Sequence, residues 1–397
     1  MSSATTLRFP KDFFWGAATA AHQIEGNNVS SDWWRREQSS NSGLKERSAD
    51  ACDSYNRYEQ DIRLLAESGL QYYRFSIEWA RIEPEPEHFS TAQILHYRDM
   101  IETCRHYGVE PMVTLNHMTL PYWFAEQGGW KSADAVSLFN RYVRQIAPIL
   151  YDVTYVCTIN EPNMVAMTRG GKEGTNMTAG ALPVPDLEIG QTLVEAHKGV
   201  CRILHEIYPS MLIGWTVATQ AFHAMPGCEQ ETEEYAWPRE NFYLDAAKGD
   251  DWIGVQGYLR TFIGKDGPQP IPDGAERTLC GWEYFPPAIG IGVRNAWDRA
   301  GHIPVIVTEN GLATSDDSRR IDYTFGALQG LKAAMDDGID VRGYIHWSLL
   351  DNYEWGSYTP TFGLVSINPD TFERHAKPSL HWLGEIAKSG IVEEPVR

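Results

Sequence analysis

Short β-rich runs alternate with amphipathic stretches along almost the whole of this 397-residue chain, and this alternation most constrains its fold. The β-rich runs are almost continuously apolar, which is typical of parallel strands buried on both faces. The predicted strands cover residues 13–19, 71–77, 109–116, 153–159, 211–218, 252–256, 304–308 and 341–347. The predicted helices cover residues 50–65, 92–107, 136–150, 187–208, 241–247, 292–300, 323–335 and 378–388. Eight such units without a break in composition predict an α/β fold, a single (β/α)8 TIM barrel, with one domain over residues 1–397.

Polar side chains concentrate just past the carboxyl ends of the predicted strands, where a barrel of this kind builds its active site. They are His22, Gln23, Glu25, Arg74, Glu78, Asn116, His117, Asn160, Glu161, Tyr258, Glu309, Asn310, Trp347, Glu354 and Trp355. Any one of them is explained as a hydrogen-bonded core residue. Together they indicate function, because strand ends without a function show no preference for carboxylates and amides.

Two of these carboxylates suggest a particular chemistry. Glu161 follows the fourth predicted strand and Glu309 ends the seventh, so a closed barrel places them roughly across its mouth. Facing carboxylates about 5 Å apart are the equipment of retaining glycoside hydrolysis. Each glutamate alone is equally explained as a helix cap or a rim ion pair.

Competing chemistries lack their motifs in this sequence. It contains no His-x-His pair, no Gly-x-Ser-x-Gly elbow, no phosphate-binding Walker A loop and no complete dinucleotide fingerprint. We therefore expect a hydrolase that needs no metal and no cofactor.

The charge balance argues against polyanionic partners. Lys and Arg total 34 and Asp and Glu total 53, which gives a formal net charge of −19. Such a surface repels nucleic acid and anionic membranes, so neither is expected as a partner. No segment is long and apolar enough to span a membrane, residues 1–10 contain no apolar signal core, and the six cysteines form no Cys-x-x-Cys pair. A cytoplasmic protein is expected, and a homo-oligomer is left open.

From about residue 13 to residue 382 the sequence resembles glycoside hydrolase family 1, the β-glucosidase-type retaining enzymes. Five motifs carry the resemblance in the expected order. They are Phe14-Trp-Gly-Ala-Ala-Thr-Ala-Ala-His-Gln-Ile-Glu-Gly26, Tyr72-Tyr-Arg-Phe-Ser-Ile-Glu-Trp-Ala-Arg81, Thr158-Ile-Asn-Glu-Pro-Asn163, Val307-Thr-Glu-Asn-Gly311 and the segment from His346 to Trp355.

The resemblance implies a role for each matching residue. Glu309 would be the nucleophile, and Glu161 the general acid and then the general base. Arg74 and Tyr258 would contact Glu309, with Arg74 expected to lower its pKa. The implied substrate-binding residues are Gln23, His117, Asn160, Trp347, Glu354 and Trp355, with Asn160 on the sugar 2-hydroxyl and Trp347 as a platform between sugar and leaving group.

The sequence departs from the family pattern in three places near the expected site. Met118 stands where the family usually has Trp, and Gln256 stands where it usually has Asn. The segment between Glu354 and Phe362 is one residue shorter than usual. Glu354 is retained and the stretch 359–361 carries no cation, so an unphosphorylated sugar is expected.

These features predict a β-glucosidase that cleaves terminal, unphosphorylated β-D-glucosides through a covalent glycosyl-enzyme. An apolar or aryl leaving group is expected from a cluster of apolar residues, namely Trp33, Trp34, Met118, Trp123, Phe124, Met164 and Met167. The sequence leaves three alternatives open: a β-galactosidase or β-fucosidase, a transglycosidase on the same site, and a catalytically silent sugar-binding barrel.

Overall fold

Eight parallel strands close into a barrel in the computed structural model, which describes residues 5–170 and 182–395. In chain order the barrel strands are β1 (Phe14–Ala18), β2 (Tyr72–Ser76), β3 (Glu110–Thr114), β4 (Tyr155–Asn160), β5 (Leu212–Ala224), β6 (Trp252–Gly264), β7 (Val305–Glu309) and β8 (Val341–Trp347). Each strand pairs with its neighbours in sequence, and β8 pairs with β1, which removes both sheet edges. The predicted TIM barrel is confirmed.

A helix follows every barrel strand and packs on the outside. These helices are α1 (Ser54–Ser68), α2 (Thr91–His106), α3 (Ala135–Ile146), α4 (Leu187–Ile207), α5 (Glu229–Ala236), α6 (Ala288–Arg299), α7 (Asp317–Asp336) and α8 (Pro378–Ser389). Helix α5 continues through a π-helical segment, Trp237–Asn241, into the short helix Phe242–Ala246.

The connecting segments contribute shorter elements. Short helices lie at Ala21–Ile24, Asp32–Gln38, Trp79–Ile82, Tyr122–Glu126 and Pro162–Gly170, and 3₁₀ turns at Gly129–Lys131 and Ala147–Leu150. Small antiparallel pairs join Thr6–Arg8 to Ile391–Glu393, Gly267–Pro268 to the end of β6, and Val365–Ile367 to Arg374–Ala376. Among the described residues, no helix is long and apolar enough to cross a membrane.

Two apolar clusters stabilise the barrel. The larger one lies between the sheet and the helix layer and includes Leu65, Ile101 and Leu193. The smaller one takes Phe14, Met112, Cys157, Ile306 and Ile345 from strands all round the barrel, so it fills the interior below the mouth.

Strands β5 and β6 are much longer than the others. Each has 13 residues, whereas the other barrel strands have five to seven. They remain paired beyond the barrel rim, and the register shifts between the pairs Thr219–Gly257 and Ala221–Arg260. This shift places one extra residue on β6, which is a bulge of the kind that re-aims side chains. The sequence prediction ended both strands too early, near residues 218 and 256.

Candidate active site

One cavity of about 300 Å³ opens at the carboxyl ends of the strands. It is lined by Gln23, His117, Glu161, Met164, Leu182, Ala218, Thr219, Gln220, Gln256, Tyr258, Leu259, Cys280, Trp282, Glu309, Trp347, Glu354, Trp355, Pro360 and Phe362. Among the described residues that line this space, three carry carboxylates and none is Lys or Arg. The cavity therefore suits a neutral ligand that presents many hydroxyl groups.

Glu309 ends strand β7 with its carboxylate held from both sides. Its Oε1 accepts hydrogen bonds from Arg74 Nη1 at 2.6 Å and from Gln256 Nε2 at 2.7 Å. Its Oε2 accepts one from the Tyr258 hydroxyl at 2.8 Å. Three donors from β2 and β6 thus fix the orientation of a buried carboxylate.

Glu161 follows β4 in a left-handed backbone conformation, with φ of 47°. Such a conformation costs a non-glycine residue about 1–3 kcal/mol, and strain of this kind tends to occur at functional sites. The backbone N–H of Glu161 donates to the Thr216 carbonyl at 2.8 Å, which holds the turn in place. Within the described part of the chain, the Glu161 carboxylate accepts no hydrogen bond.

Burial raises the pKa of both glutamates, but by different amounts. The pKa of Glu161 is raised well above 4.5, first by burial and then by the negative charge of Glu309. The pKa of Glu309 is also raised by burial, but Arg74 and the Tyr258 hydroxyl oppose the rise. Glu309 therefore ionises at lower pH than Glu161. Arg74 lowers the pKa of Glu309, as predicted from the sequence, but the cost of burial outweighs this attraction and the net shift is upward.

Asn160 joins the Glu309 carboxylate to His117. Its Oδ1 accepts from Arg74 Nη2 at 2.5 Å and from Gln256 Nε2 at 2.9 Å, and its Nδ2 donates to His117 Nε2 at 3.2 Å. Burial and the Arg74 cation hold the pKa of His117 well below its usual value, so the imidazole is neutral.

Gln256 supplies a donor that sequence analysis did not assign. Its longer side chain still reaches both Glu309 and Asn160, although the family usually has Asn at this position. The period-two pattern of β6, in which Gln256 and Tyr258 share one face, was the available signal.

Glu354 is the third carboxylate among the described residues that line the cavity. Its Oε1 accepts from Trp347 Nε1 at 3.0 Å and its Oε2 from Gln23 Nε2 at 3.2 Å. Burial, reinforced by the charge of Glu309, raises the pKa of Glu354 to about 8. Beside it the Trp355 ring stacks on His22 at 5.8 Å between ring centres.

One further cluster resembles a metal site in composition. Ligand atoms of His197, Cys201 and Asp250 lie within 4.8 Å of one another. However, the two imidazole nitrogens of His197 are taken up by Thr158 Oγ1 and Asp250 Oδ2, each at 2.7 Å, and Lys198 Nζ lies 2.5 Å from the second oxygen of Asp250. We interpret this cluster as a structural hydrogen-bond network.

Comparison with known proteins identifies the family. A family model described as "Glycosyl hydrolase family 1" matches residues 5–249 and 267–391, which is most of the chain. The chain belongs to glycosyl hydrolase family 1. The predicted family is thereby confirmed, and the protein is a glycoside hydrolase of the retaining β-glycosidase type.

Relatives match this family 1 chain over almost their full length. It is 29% identical to "Beta-glucosidase A" of Acetivibrio thermocellus, with 96% of this chain and 99% of the relative covered. It is 26% identical to a "Beta-galactosidase" of Sulfolobus acidocaldarius, with 98% and 97% covered. The crystal structure of β-glycosidase BGL167 superposes with a TM-score of 0.89 at 39% identity, covering 98% of this chain and 99% of that chain.

The residues predicted from the family 1 motifs all lie at this cavity. Eight of the ten line it directly: Gln23, His117, Glu161, Tyr258, Glu309, Trp347, Glu354 and Trp355. Arg74 and Asn160 are buried directly beneath and contact Glu309 or His117.

Other polar residues at the strand ends have structural partners instead. Glu25 accepts from Arg81 Nε at 2.7 Å, and Glu78 accepts from Thr119 Oγ1 at the same distance. Asn116 donates to the Thr119 carbonyl, Asn310 donates to the Gly257 carbonyl, and His22 bonds the buried Glu37. The criterion that a polar residue follows a strand end thus predicted more site residues than actually line the cavity.

The predicted apolar leaving-group cluster was largely wrong. Phe124 and Met167 are fully buried in the core, and Trp123 is 9% exposed with its Nε1 bonded to the Glu83 carbonyl. Of the seven residues predicted, only Met164 lines the cavity. The apolar wall comes instead from Leu182, Leu259, Cys280, Trp282, Pro360 and Phe362. Trp282 and Phe362 pack around Tyr258, with ring centres 5.7 and 5.8 Å from it.

Proposed function

We propose that this protein is a β-glucosidase that removes terminal, unphosphorylated β-D-glucosyl units, with Glu309 as nucleophile and Glu161 as general acid and base. The observation that carries the proposal is the difference between two carboxylates in one cavity. Glu309 has three hydrogen-bond donors, one of them a cation, whereas Glu161 has none of these donors and a more strongly raised pKa. Paired groups whose environments separate their pKa values take acid and base roles.

In the first step the ionised Glu309 attacks the anomeric carbon while Glu161 donates its proton to the departing oxygen. The C–O bond to the leaving group breaks, and an ester between the sugar and Glu309 forms. This ester removes the negative charge that raised the pKa of Glu161. The pKa of Glu161 therefore falls, so Glu161 stays ionised after giving up its proton and can accept one from the water that attacks the sugar and releases Glu309.

We expect the sugar hydroxyls to bind at buried polar atoms that have no hydrogen-bond partner in the described part of the chain. Among the described residues, Gln23 Oε1 and His117 Nδ1 are buried without a hydrogen-bond partner. Buried polar atoms of this kind are rarely left unpaired, so a ligand is expected to complete them. We expect Asn160, which shares the donors Arg74 and Gln256 with Glu309, to contact the 2-hydroxyl. With a pKa of about 8, Glu354 is largely protonated at neutral pH and can donate as well as accept.

The charges of the cavity favour an unphosphorylated sugar. The Arg74 cation is buried and already bonded to Glu309 and Asn160. A phosphate would enter a space that holds the ionised Glu309 and, among the described lining residues, no cation, which is electrostatically costly.

The same cavity favours an apolar leaving group. Its outer wall carries Met164, Leu182 and Leu259 and the aromatic rings of Trp282 and Phe362. Flat apolar surfaces gain more from burying an aromatic ring than from burying a second sugar.

A substrate comparison tests this specificity. We expect kcat/KM for phenyl β-D-glucoside to exceed that for cellobiose by about 10- to 100-fold, because each 1.36 kcal/mol of added burial is worth about tenfold. Phenyl β-D-galactoside distinguishes the alternative suggested by the name of the Sulfolobus relative. A higher kcat/KM for cellobiose would contradict the apolar leaving group, and a higher value for the galactoside would reassign the sugar.

The pH dependence of kcat/KM should be bell-shaped. The active form needs ionised Glu309 and protonated Glu161, so activity falls as pH drops through the pKa of Glu309 and falls again as pH rises through the pKa of Glu161. Because both values are raised, the acid limb lies above the ordinary glutamate pKa of 4.5. The measurement is kcat/KM for phenyl β-glucoside from about pH 4 to pH 9. A flat profile over mildly acidic pH would argue against this pair.

A further inference from the structure

We propose that Gln220 is a specificity residue that donates a hydrogen bond to an oxygen on the leaving group, and that Glu240 positions it. This inference rests on the proposed function and concerns the outer half of the same cavity.

Gln220 is held at its side-chain oxygen and its backbone N–H and is open at its amide nitrogen. Its Oε1 accepts from the Thr261 hydroxyl at 2.8 Å, and its backbone N–H donates to Glu240 Oε2, also at 2.8 Å. The side chain lines the cavity, and its Nε2 has no hydrogen-bond partner among the described residues. Since the oxygen is anchored on Thr261, the amide NH₂ is the free end.

The backbone around Gln220 is irregular, and this irregularity lets the Gln220 side chain face the cavity. Gln220 lies at the register shift between β5 and β6, where two β6 residues, Tyr258 and Leu259, stand opposite one position of β5. Both of these consecutive residues line the cavity, which a regular strand with alternating faces would not allow.

Glu240 contacts the backbone at this register shift. It lies in the π-helical segment Trp237–Asn241 and is 1% exposed. Its Oε1 accepts from Asn295 Nδ2 at 2.7 Å while its Oε2 holds the N–H of Gln220. Inserted π-turns are frequent at functional sites, and this one brings a buried carboxylate to the backbone of a cavity residue.

The position of Gln220 along β5 assigns it to the leaving group rather than to the glucosyl unit. Thr216, which bonds Asn160 at 3.1 Å, marks the level of the reacting sugar. Gln220 is four residues further along the strand, roughly 13 Å towards the mouth at about 3.3 Å per residue. The cavity wall around Gln220 is apolar and makes mainly shape-dependent contacts with a ring. The Gln220 NH₂ group adds one hydrogen-bond donor with a defined direction to this wall. An oxygen one ring away from the glycosidic bond fits this arrangement.

The test uses substrate pairs that differ in one oxygen. The probes are the 3- and 4-methoxyphenyl β-glucosides and the matching 3- and 4-ethylphenyl β-glucosides, whose leaving groups are similar in size. We expect the wild-type enzyme to prefer the methoxy member of at least one pair by about fivefold to tenfold in kcat/KM, the usual worth of a neutral hydrogen bond. Gln220→Met should reduce that preference to less than about twofold, and Glu240→Gln should reduce it partly, because an amide cannot accept from both Gln220 and Asn295.

The controls separate the outcomes. Gln230→Met, on the exposed face of α5, should leave the preference at its wild-type value. Cellobiose tests whether Gln220 also donates to a hydroxyl of a leaving sugar. If it does, Gln220→Met lowers kcat/KM for cellobiose by a similar factor. A wild-type enzyme without methoxy preference, or a Gln220→Met enzyme that keeps it, would overturn the inference alone. Absence of turnover on all four aryl glucosides would overturn the proposed function and the inference with it.

Discussion

Glu309→Gln is expected to lower kcat by about 10⁴- to 10⁶-fold, the range found when a catalytic nucleophile is removed. An amide cannot form the glycosyl ester, and no other carboxylate among the described lining residues has the donors that Glu309 has. The substitution preserves volume, and Arg74 keeps Asn160 as a partner at 2.5 Å. We therefore expect the barrel to fold, although less stably, because the new amide would present its NH₂ group to one of the three donors.

The measurement is kcat on phenyl β-glucoside, with circular dichroism and a thermal melt to show that the protein is folded. Glu78→Gln is a matched control, since Glu78 is also a buried glutamate just past a barrel strand but lies outside the cavity. It should retain kcat within a few-fold. In Glu309→Ala, added azide should attack from the vacated side and give a glycosyl azide of inverted configuration. Equal activity of wild type and Glu309→Gln, or equal inertness on all aryl β-glycosides, would remove the mechanism.

The barrel was predictable because parallel strands buried on both faces must be apolar throughout. The predicted strand 341–347 has the same bounds as β8, Val341–Trp347, and the other short barrel strands agree within a few residues. The same logic located the cavity, since strand ends in a barrel converge on one mouth. The topology therefore predicts which residues lie near one another at the barrel mouth, but it does not predict their individual hydrogen bonds.

The extensions of β5 and β6 were not predictable in the same way. Beyond residues 218 and 256 both strands leave the barrel, so their buried faces alternate and the continuous apolar signal is lost. Trp282 lies in irregular structure between β6 and α6, where no periodicity locates it. Much of the outer cavity wall is built from these two regions.

Burial decided the remaining differences. Trp123 and Phe124 follow a strand end as closely as a ligand-binding residue would, but apolar side chains there pack equally well under the rim. The pKa of Glu309 depended on the balance between burial and Arg74, which sequence identifies by sign but not by size. The burial of Trp123 and Phe124 and the net shift of the Glu309 pKa both depend on three-dimensional packing, which the sequence alone does not give.

Glu161→Gln is expected to have an effect that depends on the leaving group. Phenol is a poor leaving group that needs protonation, so kcat/KM for phenyl β-glucoside should fall by about 10²- to 10⁴-fold, the usual contribution of a general acid. A 2,4-dinitrophenolate departs without a proton, so kcat/KM for that glucoside should change little. The alkaline limb of the pH profile should disappear as well, because Glu161 is the group whose ionisation produces it.

The decisive measurement is kcat/KM for a series of aryl β-glucosides plotted against the pKa of the departing phenol, for wild type and Glu161→Gln. The slope should be steeper in the variant, because more negative charge remains on the departing oxygen when no proton arrives. Glu78→Gln should keep the wild-type slope, which separates loss of the acid from loss of a buried carboxylate. If Glu161→Gln instead lowered kcat/KM by one factor for every leaving group and kept the alkaline limb, Glu161 would not be the proton donor. Glu354, which also lines the cavity with a raised pKa, would then be the next residue to test.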